Sequence, residues 1–247
     1  MINCNHVLLI ARGAVLEMLR RKDLAVLGLF MGLFLLLVGV SRFVGFDNPA
    51  TGTFLLNLSL TLIVGLSHLI ALTMSARQMP DELERRTLYP LLARPVRRAD
   101  VILGKWSASL FTGLVVFSAM MFLALVLVPK LETYQIGTLL QLLVLQLPAL
   151  AFTAALGLYF SMRMPRLLGL FLGAILVYGA GYVVSFGRNF PIVHVLPNPG
   201  RLNLVVRYTD GVAPLAAGEF LMLALYACLW IVLLVAATIR LFHTRSV

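Results

Sequence analysis

The sequence predicts an all-α, polytopic membrane protein with six transmembrane helices in a single domain over residues 1–247. Three observations lead there. The 247-residue chain is 61% hydrophobic and only 12% charged, with a mean hydropathy of +0.98. A soluble domain carries about a quarter charged residues, so this chain lacks the polar side chains to cover a surface in water. Apolar runs long enough to cross a bilayer recur from end to end, and the basic residues gather mostly in alternate breaks between them.

Each element follows from these patterns. Residues 5–22, NHVLLIARGAVLEMLRRK, place Val7, Leu8, Ala11, Ala14, Val15, Met18 and Leu19 at helical spacing, with Arg12, Glu17, Arg20 and Arg21 elsewhere. A basic amphipathic helix ahead of a span is expected to lie along the lipid headgroups. A span needs about 20 apolar residues to cross a core of about 30 Å. Six runs qualify: 24–44, 53–76, 107–128, 137–160, 167–186 and 219–239. Backbone groups in lipid must pair within their own segment, so each run is expected to be a helix. The first is long and follows Arg20, Arg21 and Lys22, which reads as a retained span rather than a cleaved signal. Residues 79–94 predict a further helix between the second and third spans, started by Pro80 and the acids after it and stopped by Arg94-Pro95. The outer loop 187–218 holds four prolines and no crossing run; short interfacial or re-entrant helices packed on the protein are expected there.

Charge sets the orientation. Arg12, Arg20, Arg21, Lys22, Arg77, Arg85, Arg86, Arg94, Arg97, Arg98, Lys105, Arg163, Arg166, Arg240 and Arg245 fall on one side, against Arg42, Lys130, Arg188, Arg201 and Arg207 on the other. The positive-inside rule puts both termini and the loop after span two in the cytoplasm. The same placement accounts for the net charge of +10 without nucleic acid, since no strip of alternating aromatic and basic residues is present. Cys4 and Cys228 offer neither a disulfide framework nor a CxxC metal site.

Apart from Arg42 and Glu219 near their ends, the runs as bounded hold no Asp, Glu, Lys or Arg. That argues against a proton- or sodium-coupled carrier and removes the carboxylate pair of an intramembrane aspartyl protease. Ser67 and His68 are neighbours, but adjacent helical residues point apart, so they form no nucleophile–base pair. His68, Asn57, Gln141 and Gln146 are polar positions within spans; they either bond helices together or line a substrate path. Pro148 is expected to bend the helix beside Gln146. Gly28 with Gly32, and Gly169 with Gly173, are small-xxx-small pairs that allow close helix approach. ILGKW lacks the first glycine and the hydroxyl of a phosphate-binding loop, so the chain is expected to be no enzyme and to bind neither cofactor nor metal itself.

Residues 81–106, DELERRTLYPLLARPVRRADVILGKW, concentrate charge in one internal loop. An anionic membrane surface would attract its bases but repel Asp81, Glu82 and Glu84, which points to a protein partner. Glu84, Thr87, Leu88, Leu91, Leu92, Arg94, Pro95, Val96, Arg98, Gly104 and Lys105 resemble the signature of type 2 ABC transporter permeases, although Arg86 stands where that family usually has glycine. LPNPGRLNL, 196–204, is similar to a segment before the last span of related permeases. Among them are those of the nitrous oxide reductase (copper-enzyme) maturation group. The resemblance implies an export permease in a bacterial or archaeal inner membrane, with 79–94 acting as a coupling helix. A separate ATPase subunit carrying ATP and Mg would dock there, on Asp81, Glu82, Glu84, Arg85, Arg86 and Thr87. A second permease copy or paralogue would complete the path. The alternative is a non-transporting membrane anchor that recruits a cytosolic partner through the same loop.

Overall fold

The computed structural model of the chain describes residues 4–19, 49–84, 97–127, 136–180 and 197–244, with a few helical residues between 25 and 40. The elements among them are helices: α1 Cys4–Leu19, α2 Pro49–Glu84, α3 Arg98–Leu127, α4 Ile136–Arg163, α5 Arg166–Ala174, α6 Val205–Thr209 and α7 Ala217–Thr244. A π-helical turn, Ile175–Gly179, extends α5, and a 3-10 turn, Pro199–Leu202, precedes α6. Four segments are long and apolar enough to cross a membrane: Thr53–Asp81, Arg98–Ala124, Ile136–Arg163 and Ala217–Thr244. The expected fifth span is represented by the shorter apolar helix Arg166–Gly179; residues 181–186 of it, and most of the first run 24–44, lie outside the described residues.

α2 and α4 form the centre. Leu142, Leu145, Ala149, Phe152 and Leu156 of α4 share a buried core with Leu56, Leu60, Ile63, Val64 and Ala71 of α2. In lipid no hydrophobic force pulls helices together, so close packing and interhelical hydrogen bonds must hold them. Gly157 allows a close approach: a Cβ there would overlap Ser75 Oγ and fall 3.0 Å from the Leu72 carbonyl oxygen. Phe152 also stacks on Trp230 of α7 with ring centroids 6.2 Å apart. Gly173 lets α5 onto α2, since its Cβ would meet Leu72 Cδ1 at 2.7 Å. No described atom lies within 4 Å of a Cβ built on Gly28 or Gly32. Leu221, Met222, Leu225, Leu229 and Val232 of α7 are exposed, the apolar outer surface a bilayer would solvate.

Two boundaries differ from expectation. The second span was expected to end at 76, with Pro80 and the acids opening a new helix. Instead α2 runs unbroken through Pro80 to Glu84. Pro80 cannot donate to the Ala76 carbonyl, but α3 holds the extension in place. Met79 is buried against Val101 and Ile102, and Gln78 Nε2 donates to Ser109 Oγ at 2.7 Å and to the Lys105 carbonyl at 3.2 Å. The remaining part of the 79–94 helix lies outside the described residues.

The third span starts earlier than expected, at Arg98 instead of 107. Asp100 and Lys105 therefore fall inside its helix, 1% and 2% exposed. The reason is tertiary: α1 and α7 pack around the first turns of α3. Ile10 of α1 sits so close to Gly104 that a Cβ there would fall 2.8 Å from its Cγ2. Asp100 occupies the first turn, where the helix dipole favours an acid.

The outer segment folds back onto the bundle. Leu202, Leu204, Val205 and Tyr208 join the α2–α4 core. The Asn198 N–H donates to Tyr226 Oη at 3.0 Å, and the Thr138 hydroxyl donates to the Val212 carbonyl at 3.1 Å. Gly211, at φ 67°, turns the chain after α6, a conformation that glycine adopts without steric cost.

Candidate functional site

The buried polar groups between α2 and α4 form one chain of hydrogen bonds. The Thr153 hydroxyl donates its hydrogen to the Ala149 carbonyl at 3.0 Å, so its oxygen can only accept from His68 Nδ1, 2.7 Å away. That makes Nδ1 the protonated nitrogen of His68 and Nε2 the acceptor. Gln146 Nε2 lies 3.2 Å from His68 Nε2 and donates to it; its other hydrogen reaches Ser67 Oγ at 3.4 Å. Ser67 in turn donates to the Val64 carbonyl at 2.8 Å. Every hydrogen in the sequence Ser67–Gln146–His68–Thr153 is therefore assigned. A neutral imidazole bridges the two helices.

This cluster gathers two of the four span residues singled out from sequence and leaves two elsewhere. Gln141 uses both ends of its amide on Leu215: Nε2 donates to the Leu215 carbonyl at 2.9 Å, and Oε1 accepts from the Leu215 N–H at 2.7 Å. It fastens α4 to the outer segment. Asn57 Oδ1 accepts from Thr61 at 3.0 Å within its own helix, eleven residues and about 16 Å along α2 from His68. Ser67 and His68 do not bond each other, as their adjacency implied; Gln146 links them. Thr153 was missed. Its signal is its spacing from Gln146, seven residues or two turns, which puts both on one face of α4.

A second set of contacts lies at the end of the bundle where α2 stops and α3 starts. Asp81, in the last turn of α2, lies 3.8 Å from Arg166 Nη1 at the start of α5. Arg98, the first residue of α3, donates from Nη1 to the carbonyls of Phe242 (2.7 Å) and His243 (3.3 Å), and its guanidinium lies 5.4 Å from the Phe242 ring centroid. A cation on the last carbonyls of a helix opposes the negative end of its dipole. Glu82 and Glu84 share the last turn of α2 with Asp81; Arg85, Arg86 and Thr87 lie outside the described residues. Among the described residues no three His, Cys, Asp or Glu converge as metal ligands.

Helices long enough to span, an apolar exterior and a polar seam through the central pair define a multi-pass helical membrane protein. Residues 8–247 match the family described as ABC-2 family transporter protein, and the chain belongs to it. It is accordingly a permease subunit of an ABC transporter, from a family generally without catalysis of its own, which works with an ATP-binding partner subunit. No curated protein matches the chain.

Proposed function

We propose that the chain is the permease of an ATP-driven exporter, energised by a separate ATPase subunit that docks on residues 79–106. The contacts at the two ends of that stretch carry this reading. One end is paired to α5 through Asp81 and Arg166, and the other is bonded to the end of α7 through Arg98. A push on the residues between them would act on four helices at once, which is what a coupling loop requires. The docking surface is Asp81, Glu82, Glu84, Arg85, Arg86 and Thr87, with ATP and Mg held by the partner. The full bundle has six spans, including 24–44 and 167–186, and both termini face the cytoplasm of a bacterial or archaeal cell.

A second copy or a paralogue faces this chain across the path. His68 and Gln146 are its polar positions there, because the seam they bridge parts when α2 moves against α4. Asn57 and Gln141 serve packing. The resemblance to permeases of the nitrous oxide reductase maturation group supplies a candidate setting for the cargo. Co-purification of the ATPase with tagged wild-type chain tests the docking. Glu84→Lys is expected to cut recovery severalfold while leaving the chain in the membrane. Undiminished recovery contradicts the docking surface, and recovery without any ATP-dependent transport favours the anchor reading.

A further inference from the structure

α1 is apolar on two sides. Ile10 and Met18 pack on α3, Met18 with its Sδ 3.3 Å from the Thr112 hydroxyl, while Leu8 and Leu16 remain 68% and 49% exposed. Between α1 and residues 103–111 of α3 runs an open groove of about 720 Å³, walled by Val7, Val15, Leu103, Trp106 and Phe111. Its volume is in the range of small-molecule sites. The polar groups on its α3 wall are spent: Ser107 donates to the Gly104 carbonyl at 2.9 Å, and the Trp106 indole N–H donates to the Ala151 carbonyl at 3.0 Å. Among the described residues, the one charged side chain in the lining is the exposed Arg12. Such a groove suits a ligand with a long apolar chain and a single acidic head, and discriminates against a peptide, whose amides would find too few partners.

We infer that the α1–α3 groove is a binding site for an anionic phospholipid, its acyl chain along Val7, Val15, Leu103 and Phe111 and its phosphate paired with Arg12. The charge is complementary at Arg12, which lines the groove and is exposed, since a basic side chain near the membrane surface attracts acidic lipid. The long stem of Arg12 can lie along the apolar wall while its guanidinium reaches the headgroup.

Trp106 makes the site directly readable. The chain has two tryptophans, and Trp230→Phe, which keeps an aromatic ring on Phe152, leaves Trp106 as the only one. In phosphatidylcholine vesicles doped at low mole fraction, phosphatidylglycerol with brominated chains is expected to quench Trp106 about fivefold more effectively than brominated phosphatidylcholine, the preference one basic side chain supplies. Arg12→Gln in this background removes the difference, and Arg12→Lys keeps most of it. Retention of phosphatidylglycerol over phosphatidylcholine through detergent extraction of the unsubstituted chain gives a second readout. Equal quenching by the two lipids overturns the inference, as does a preference that survives Arg12→Gln. So does protection of Trp106 from both lipids, which would mean that protein, such as residues 24–44, fills the groove.

Discussion

At the scale of single residues, the seam between α2 and α4 rests on one absent side chain and one neutral ring. Gly157 has no room for a methyl group. Gly157→Ala is expected to destabilise the bundle by about 1–3 kcal/mol, the cost of overpacking, and Ser75→Gly in the same chain should recover part of it; thermal unfolding in detergent measures both. His68→Leu leaves Gln146 and Thr153 short of a partner, and Gln146→Leu does the same to His68 and Ser67. Each should cost about 0.6–2 kcal/mol, the range for interhelical bonds in membranes. The double variant should cost less than the sum, because both remove the same bond. These polar positions were legible as unusual residues in apolar runs. Their partners were not: nothing in the sequence says that His68 meets position 153, whereas Gln141 points to the outer segment. Spacing along one helix is written in the chain, but the rotation of one helix against another is not.

At the scale of elements, apolar length located the helices and local signals misplaced their ends. Pro80 with the acids after it reads as a helix start, yet packing of Met79 and Gln78 on α3 carries α2 through it. Lys105, beside Trp106 at the expected edge of the third span, is instead buried against α2, its Nζ 3.9 Å from Met79 Sδ. Tertiary contact overrides capping preference here, as it does propensity generally. Two element-level predictions follow from those contacts. Gly104→Leu should push α1 off α3, exposing Met18 and the 4–19 segment to protease while α2, α3 and α4 stay folded. Arg98→Ala removes a charge-assisted bond and a cation–π contact, together about 2–3 kcal/mol. Hydrogen exchange at the amides of 240–244 should then accelerate by at least tenfold, with α4 unchanged.

At the scale of the whole molecule, composition and the alternation of charge were enough to read a multi-pass helical protein, and the family match over residues 8–247 agrees with the resemblance carried by the 84–105 signature. Under the proposed function, what the chain is for depends on a surface shared by two proteins, and one chain writes only half of it. The loop's acids, the Asp81–Arg166 pair and the Arg98 bonds to α7 would be this chain's half. The most direct test is a photo-crosslinking residue at position 87, in cells that make the chain with its ATPase, beside the same residue at position 210 in the outer segment. The account predicts a covalent adduct with the ATPase from position 87 and none from position 210. No adduct from position 87, or equal adducts from both, would contradict it.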